Sequence, residues 1–162
     1  MALVFPAFSG GRLRAFAVVL GIVLVLAALT ARANIAAAHS YKLGDIEVGH
    51  IWAPPPKSPS DGIAVYGPIL NMGKSAVRLA GASSPIAKTV RFRIDKNGQA
   101  TWPSSVELQP GKPVALAPWR VHIWLTGLKS PVREGADFPL TLDFGAAGKL
   151  NVKVIIEKTA GH

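Results

Sequence analysis

The chain has 162 residues, enough for one ordinary domain, of which 49% are hydrophobic and 17% charged, with a formal charge of +9. Sixteen glycines and 13 prolines exclude a long-helix bundle or coiled coil, which needs many charged helix formers and few breakers. The absence of cysteine excludes a disulfide framework, a thiolate metal site and a cysteine nucleophile.

Residues 1–38 have the make-up of a targeting segment. Arg12 and Arg14 give a basic start, and an uncharged run follows from Ala15 to Ala31. Its 17 residues fall between a signal h-region and a full bilayer span of about 20. Ala36-Ala37-Ala38 and Ala31-Arg32-Ala33 are both small-residue cleavage candidates. The segment is therefore a cleaved export signal or an uncleaved membrane anchor, and either places residues 39–162 in the periplasm, outside the cytoplasmic membrane. Arg12, Arg14 and Arg32 belong to the leader, so the remainder carries 15 bases against 9 acids, a charge of +6. These bases are mostly scattered singly. Nucleic-acid binding needs a denser stripe, and a basic surface near anionic lipid accounts for the excess.

Strand patterns begin at Leu43. Ile46, Val48, His50 and Trp52 share one parity, and Asp45, Glu47 and Gly49 take the other. Pro54-Pro55-Pro56 opens a stiff loop that no central strand can contain. Further strands are predicted over 63–70, 76–82, 88–94, 114–117, 121–125, 138–144 and 150–157. Turn residues separate them at Asn71–Lys74, Lys96–Gly98, Gln109–Lys112 and Gly145–Gly148. The last two strands form the clearest hairpin, with Phe138, Leu140, Leu142 and Phe144 facing one way and Leu150, Val152, Val154 and Ile156 following after the turn. About eight short strands without a convincing amphipathic helix predict an all-β, single-domain sandwich or barrel over residues 39–162.

Enzyme templates fail on this chain. It has no G-x-S-x-G, no H-E-x-x-H, no phosphate loop and no paired-carboxylate motif. The four histidines are His39, His50, His122 and His162. His162 is terminal. His39 becomes the first residue if cleavage follows Ala38, and its amine and imidazole then form a two-nitrogen donor suited to Cu(II). His50 is in phase with core residues. His122 shares strand parity with Trp124, so both side chains leave one face. That pair suits a soft cation beside an indole, and equally a buried, hydrogen-bonded histidine.

Longer stretches resemble the periplasmic PCu(A)C copper chaperones. They are Ala38–Ile46, His50–Ala53, Tyr66–Asn71 with Gly73, Leu79–Pro85, Leu108–Gly111, His122–Leu128, Pro131–Gly135 and Phe138–Phe144. Together they span nearly all of residues 39–157 in the family's order. The resemblance implies a cupredoxin-like β-sandwich that binds and transfers copper without catalytic turnover. By the same resemblance the cargo is Cu(I), and the partner is the copper subunit of a respiratory oxidase or another copper carrier. The family's cradle is a histidine, a methionine further on, and a closing His-x-Met, a set in which thioether sulfur suits soft Cu(I). Here His122 matches the closing histidine, while Arg93, Ala100 (or Trp102) and Trp124 stand where the family has ligands. Met72 lies in a turn outside the matching positions. Arginine has no lone pair to donate. His122, assisted by His50 or His39, is thus the expected metal set of a degenerate site. The rival expectation is a metal-independent interaction module built on Arg93, Trp102 and Trp124.

Overall fold

A computed structural model describes residues 40–58 and 61–159, and the predicted leader, His39 and His162 lie outside these. Period-2 alternation builds most of what is seen. The strands are β1 (Tyr41–Leu43), β2 (Ile46–Val48), β3 (Trp52–Ala53), β4 (Ile63–Val65), β5 (Gly67–Asn71), β6 (Val77–Leu79) and β7 (Gly81–Ser83). They continue as β8 (Ala87–Lys96), β9 (Gln99–Thr101), β10 (Val106–Leu108), β11 (Val114–Leu116), β12 (His122–Leu128), β13 (Asp137–Asp143) and β14 (Lys149–Ile156). Among the described residues the one helical turn is a 3-10 turn at Gly145–Ala147. No helix there is long and apolar enough to cross a membrane.

Three four-stranded sheets, ordered β1-β2-β5-β11, β4-β12-β8-β9 and β3-β14-β13-β7, and a two-stranded β10-β6 ribbon enclose the core. Ile46, Val48, Ile69, Phe92, Ile123, Leu125, Leu140, Leu142, Val152, Val154 and Ile156 fill it, with their strands' alternate residues turned outward. The predicted all-β sandwich is the observed fold. The predicted C-terminal hairpin also forms, with Phe138 opposite Val154, Leu140 opposite Val152 and Leu142 opposite Leu150.

The strand count differs from the sequence reading for two reasons. Some predicted strands divide between sheets. Residues 63–70 break at Tyr66, where Gly67 at φ 146° lets the chain leave β4's sheet and enter β5's. A β-carbon on Gly67 would lie 2.5 Å from Ile51 Cδ1 and 2.6 Å from the His50 carbonyl oxygen, so close approach as well as conformation requires glycine. Residues 76–82 break at Ala80, whose N–H donates to the Asp143 carbonyl at 2.7 Å. Other strands are simply too short to show a period. β9 is exposed throughout, and β10 has three residues. Asn97 (φ 53°) and Gly98 (φ 75°) make the two-residue turn joining β8 to β9, where a turn was predicted.

Candidate functional site

The face of β12 opposite Ile123 and Leu125 carries His122 and Trp124. β8 runs antiparallel beside it, with Arg93 opposite His122 and Arg91 opposite Trp124. Asp95 is two residues beyond Arg93, so Arg91, Arg93 and Asp95 emerge on that same face. β9 extends the sheet with Ala100 opposite Asp95, and Trp102 follows directly. On the other flank β4 places Ala64 opposite Trp124 and leads into Tyr66. The positions matched to the family's ligands are thus gathered on one sheet face, with Asp95 and Tyr66 added.

The ring of His122 is 2% exposed, although it lies on the outward side of its sheet. Tyr66 and Trp124 flank it, with ring centroids 5.7 and 6.2 Å away, both edge-on. Trp52 packs on Tyr66 at 5.1 Å. The Nδ1 atom lies 3.1 Å from the carbonyl oxygen of Arg120, which only accepts, so Nδ1 carries the hydrogen. Nε2 is then the ring nitrogen left to meet another group. It faces Asp95 Oδ2 at 3.7 Å, too far for a hydrogen bond. Arg120 belongs to a tight turn, closed by its N–H on the Ala117 carbonyl at 3.0 Å, and the neighbouring Trp119 is 77% exposed.

Arg93 does not turn away from this group. Its Nε and Nη2 both donate to Asp95 Oδ1, at 2.9 and 2.8 Å, which leaves Oδ2 directed at His122. The guanidinium carbon stands 4.3 Å from the Trp124 ring centroid, the diagonal contact expected of a residue opposite His122. Arg91 covers the Trp102 ring at 3.9 Å, and Arg93 also reaches Trp102 at 5.6 Å. Two guanidinium groups and two indoles therefore alternate across the face, each cation beside an aromatic quadrupole. Behind Trp124 the chain comes close at Gly62, where a β-carbon would be 2.4 Å from Cε2 and Cζ2 of the indole. The Tyr66 phenol has its pKa raised above the usual value, mainly by burial and further by the charge of Asp95, against an opposing pull from Arg93. It stands at the site as a neutral hydroxyl.

Of the residues proposed from sequence, His122, Arg93, Trp102 and Trp124 come together, with Ala100 at the edge. His50 is engaged elsewhere, its Nε2 2.6 Å from Glu157 Oε1. Among the described residues no three histidine or carboxylate side chains group closely enough to hold a metal ion. Met72 is 59% exposed in the turn after β5. Asp95 and Tyr66 were missed from sequence. Asp95 was detectable, because Arg91, Arg93 and Asp95 recur at every second residue of one strand. Tyr66 was not, because the switch between sheets at Gly67 brings it to His122.

The family model described as "Putative lipoprotein LpqE-like" matches residues 46–156. The putative lipoprotein Lxx21020 of Leifsonia xyli subsp. xyli (strain CTCB07) is 29% identical over 122 residues, 72% of this chain and 72% of that protein. Among solved structures, the copper-bound PCuAC domain from PmoF2 is similar with a TM-score of 0.66 and 25% identity, covering 75% of this chain and 99% of that domain. The apo form of the same domain gives 0.66 and 26%, covering 76% and 99%. Cu(I)-bound DR1885 of Deinococcus radiodurans has the same fold at a TM-score of 0.60 and 19% identity, over 79% of this chain and 87% of that one.

Proposed function

Since the chain belongs to the LpqE-like family and has the fold of PCuAC domains, we propose that it binds copper outside the cytoplasmic membrane and passes it to another protein. The observation that carries this reading is His122, a buried imidazole oriented by a backbone carbonyl at Nδ1 so that Nε2 is the nitrogen available to a metal. The acceptor, by resemblance, is the copper subunit of a respiratory oxidase or a second carrier. The reading involves no turnover. Binding is weak, because Arg93, Ala100 or Trp102, and Trp124 bring no donor atoms, and the Arg93 charge repels a cation. The 162 residues contain no cysteine through which a lipid could be attached, so membrane attachment in this reading rests on the apolar run 15–31.

The test is titration of the purified full chain with copper in each oxidation state against a chelating competitor. The expectation is retention of one copper at micromolar affinity or better, weakened at least about tenfold in His122→Ala. No retained copper, or undiminished affinity in that variant, overturns the reading.

A second reading is favoured by one observation, the alternation of Arg91, Trp102, Arg93 and Trp124. Tryptophan and arginine are preferred anchors at protein interfaces, and such a face serves a metal-independent interaction module. Affinity capture from membranes with wild type and Arg93→Glu distinguishes it. Identical partner lists count against it.

A further inference from the structure

We propose that Asp95 is the second donor of the site, and that His122 Nε2 with Asp95 Oδ2 selects divalent over cuprous copper. This rests on the copper reading above, but it reverses the oxidation state that the resemblance implies. Nδ1 is committed to the Arg120 carbonyl, so Nε2 is the ring nitrogen through which a metal can be bound, and the Asp95 carboxylate supplies oxygen lone pairs beside it. These two atoms face each other across 3.7 Å. A metal ion placed between them takes a lone pair from each and displaces any proton on Nε2. Metal bonds to nitrogen and oxygen are each about 2 Å, so one ion reaches both atoms with little movement.

The donor types set the choice of ion. Cuprous copper is soft and favours thioether sulfur, whereas imidazole with carboxylate is a harder pair that suits Cu(II). Among the described residues the one methionine, Met72, lies in the exposed turn after β5. The positions that the family fills with sulfur hold Trp124 and Ala100 or Trp102. Two further features fit a cargo site. Asp95 is partly exposed, so an acceptor's ligands can reach an ion that the chain holds by only two side chains. Arg93 occupies Oδ1 and leaves Oδ2 available, acting as a resident cation that weakens the site without closing it.

The experiment is competitive titration of the purified full chain and of Asp95→Asn, His122→Gln and Arg93→Gln, with Cu(II) and with Cu(I). Pulsed electron paramagnetic resonance of the Cu(II) samples reads coordinated imidazole, and circular dichroism checks that each variant is folded. Asn keeps the shape of Asp, so folding is expected in that variant. The expected result is Cu(II) bound more tightly than Cu(I), a loss of at least about tenfold in both Asp95→Asn and His122→Gln, and a gain in Arg93→Gln. The signal of a coordinated imidazole disappears in His122→Gln. Cu(II) affinity unchanged in Asp95→Asn but lost in His122→Gln overturns the role of Asp95 and leaves the copper reading standing. Tighter binding of Cu(I) overturns the selectivity. Cu(II) that survives both donor substitutions belongs to another part of the chain and overturns the site. No copper in either state removes both this proposal and the reading it rests on.

Discussion

Replacing Gly62 by alanine tests how firmly Trp124 is held in the site. The new β-carbon would fall 2.4 Å from two indole carbons and 2.7 Å from Nε1. Ordinary carbon contacts are about 3.5–4.0 Å, so the ring must retreat by more than 1 Å. Overpacking of this kind costs about 1–3 kcal/mol. Retreat also weakens the Arg93 contact, now 4.3 Å from the ring centroid, by about 0.5–1 kcal/mol. Alanine's smaller unfolded-state entropy offsets about 0.4–1 kcal/mol, since Gly62 is not among the positive-φ glycines. The net expectation is destabilisation by about 2 kcal/mol, measured by urea unfolding. Gly81→Ala is the control, because its β-carbon meets nothing within 4 Å and its φ is also not positive. That substitution is expected to be neutral or slightly stabilising. If the Gly62 and Gly81 variants were equally stable, the indole would not be wedged as described, and the stack on Arg93 would lose its support.

Two more outcomes follow from the same packing. Asn71 is buried and bonds the carbonyls of Ser75 (2.8 Å) and Leu108 (2.9 Å) and the N–H of Gly73 (2.9 Å). Asn71→Ala leaves all three without that partner and is expected to cost about 2–4 kcal/mol in denaturant unfolding, whereas a cost below 1 kcal/mol contradicts the assignment. The phenol of Tyr66 is expected to ionise above the ordinary tyrosine value of about 10, read as the difference in phenolate absorbance between wild type and Tyr66→Phe. The sign follows from the raised folded value: Tyr66's contribution to stability is complete below about pH 10 and declines as pH rises through its folded pKa. Ionisation at or below 10 contradicts its burial beside Asp95.

Legibility in the sequence followed the length of each pattern. The predicted strands 138–144 and 150–157, observed as Asp137–Asp143 and Lys149–Ile156, repeat a two-residue period long enough to fix both the hairpin and its buried face. Three-residue strands such as β9 and β10 contain barely more than one period, and only pairing with β8 and β6 defines them. The site divides in the same way. His122 and Trp124 were readable from parity on one strand, and Arg93's place at a ligand position from the resemblance, but only the β8–β12 register sets Arg93 opposite His122. Asp95 lies one residue past the predicted strand 88–94, whereas β8 runs on to Lys96 and carries it onto the face of Arg91 and Arg93. Tyr66 and the commitment of His50 to Glu157 depend on contacts between distant parts of the chain, which no local pattern encodes.

The most direct test of the proposed imidazole–carboxylate copper site is X-ray absorption at the copper edge on the copper-loaded full chain. The expected result is a first shell of nitrogen and oxygen near about 2 Å, including an imidazole contribution that vanishes in His122→Gln. A sulfur shell near about 2.3 Å, or a spectrum indifferent to His122, would contradict it.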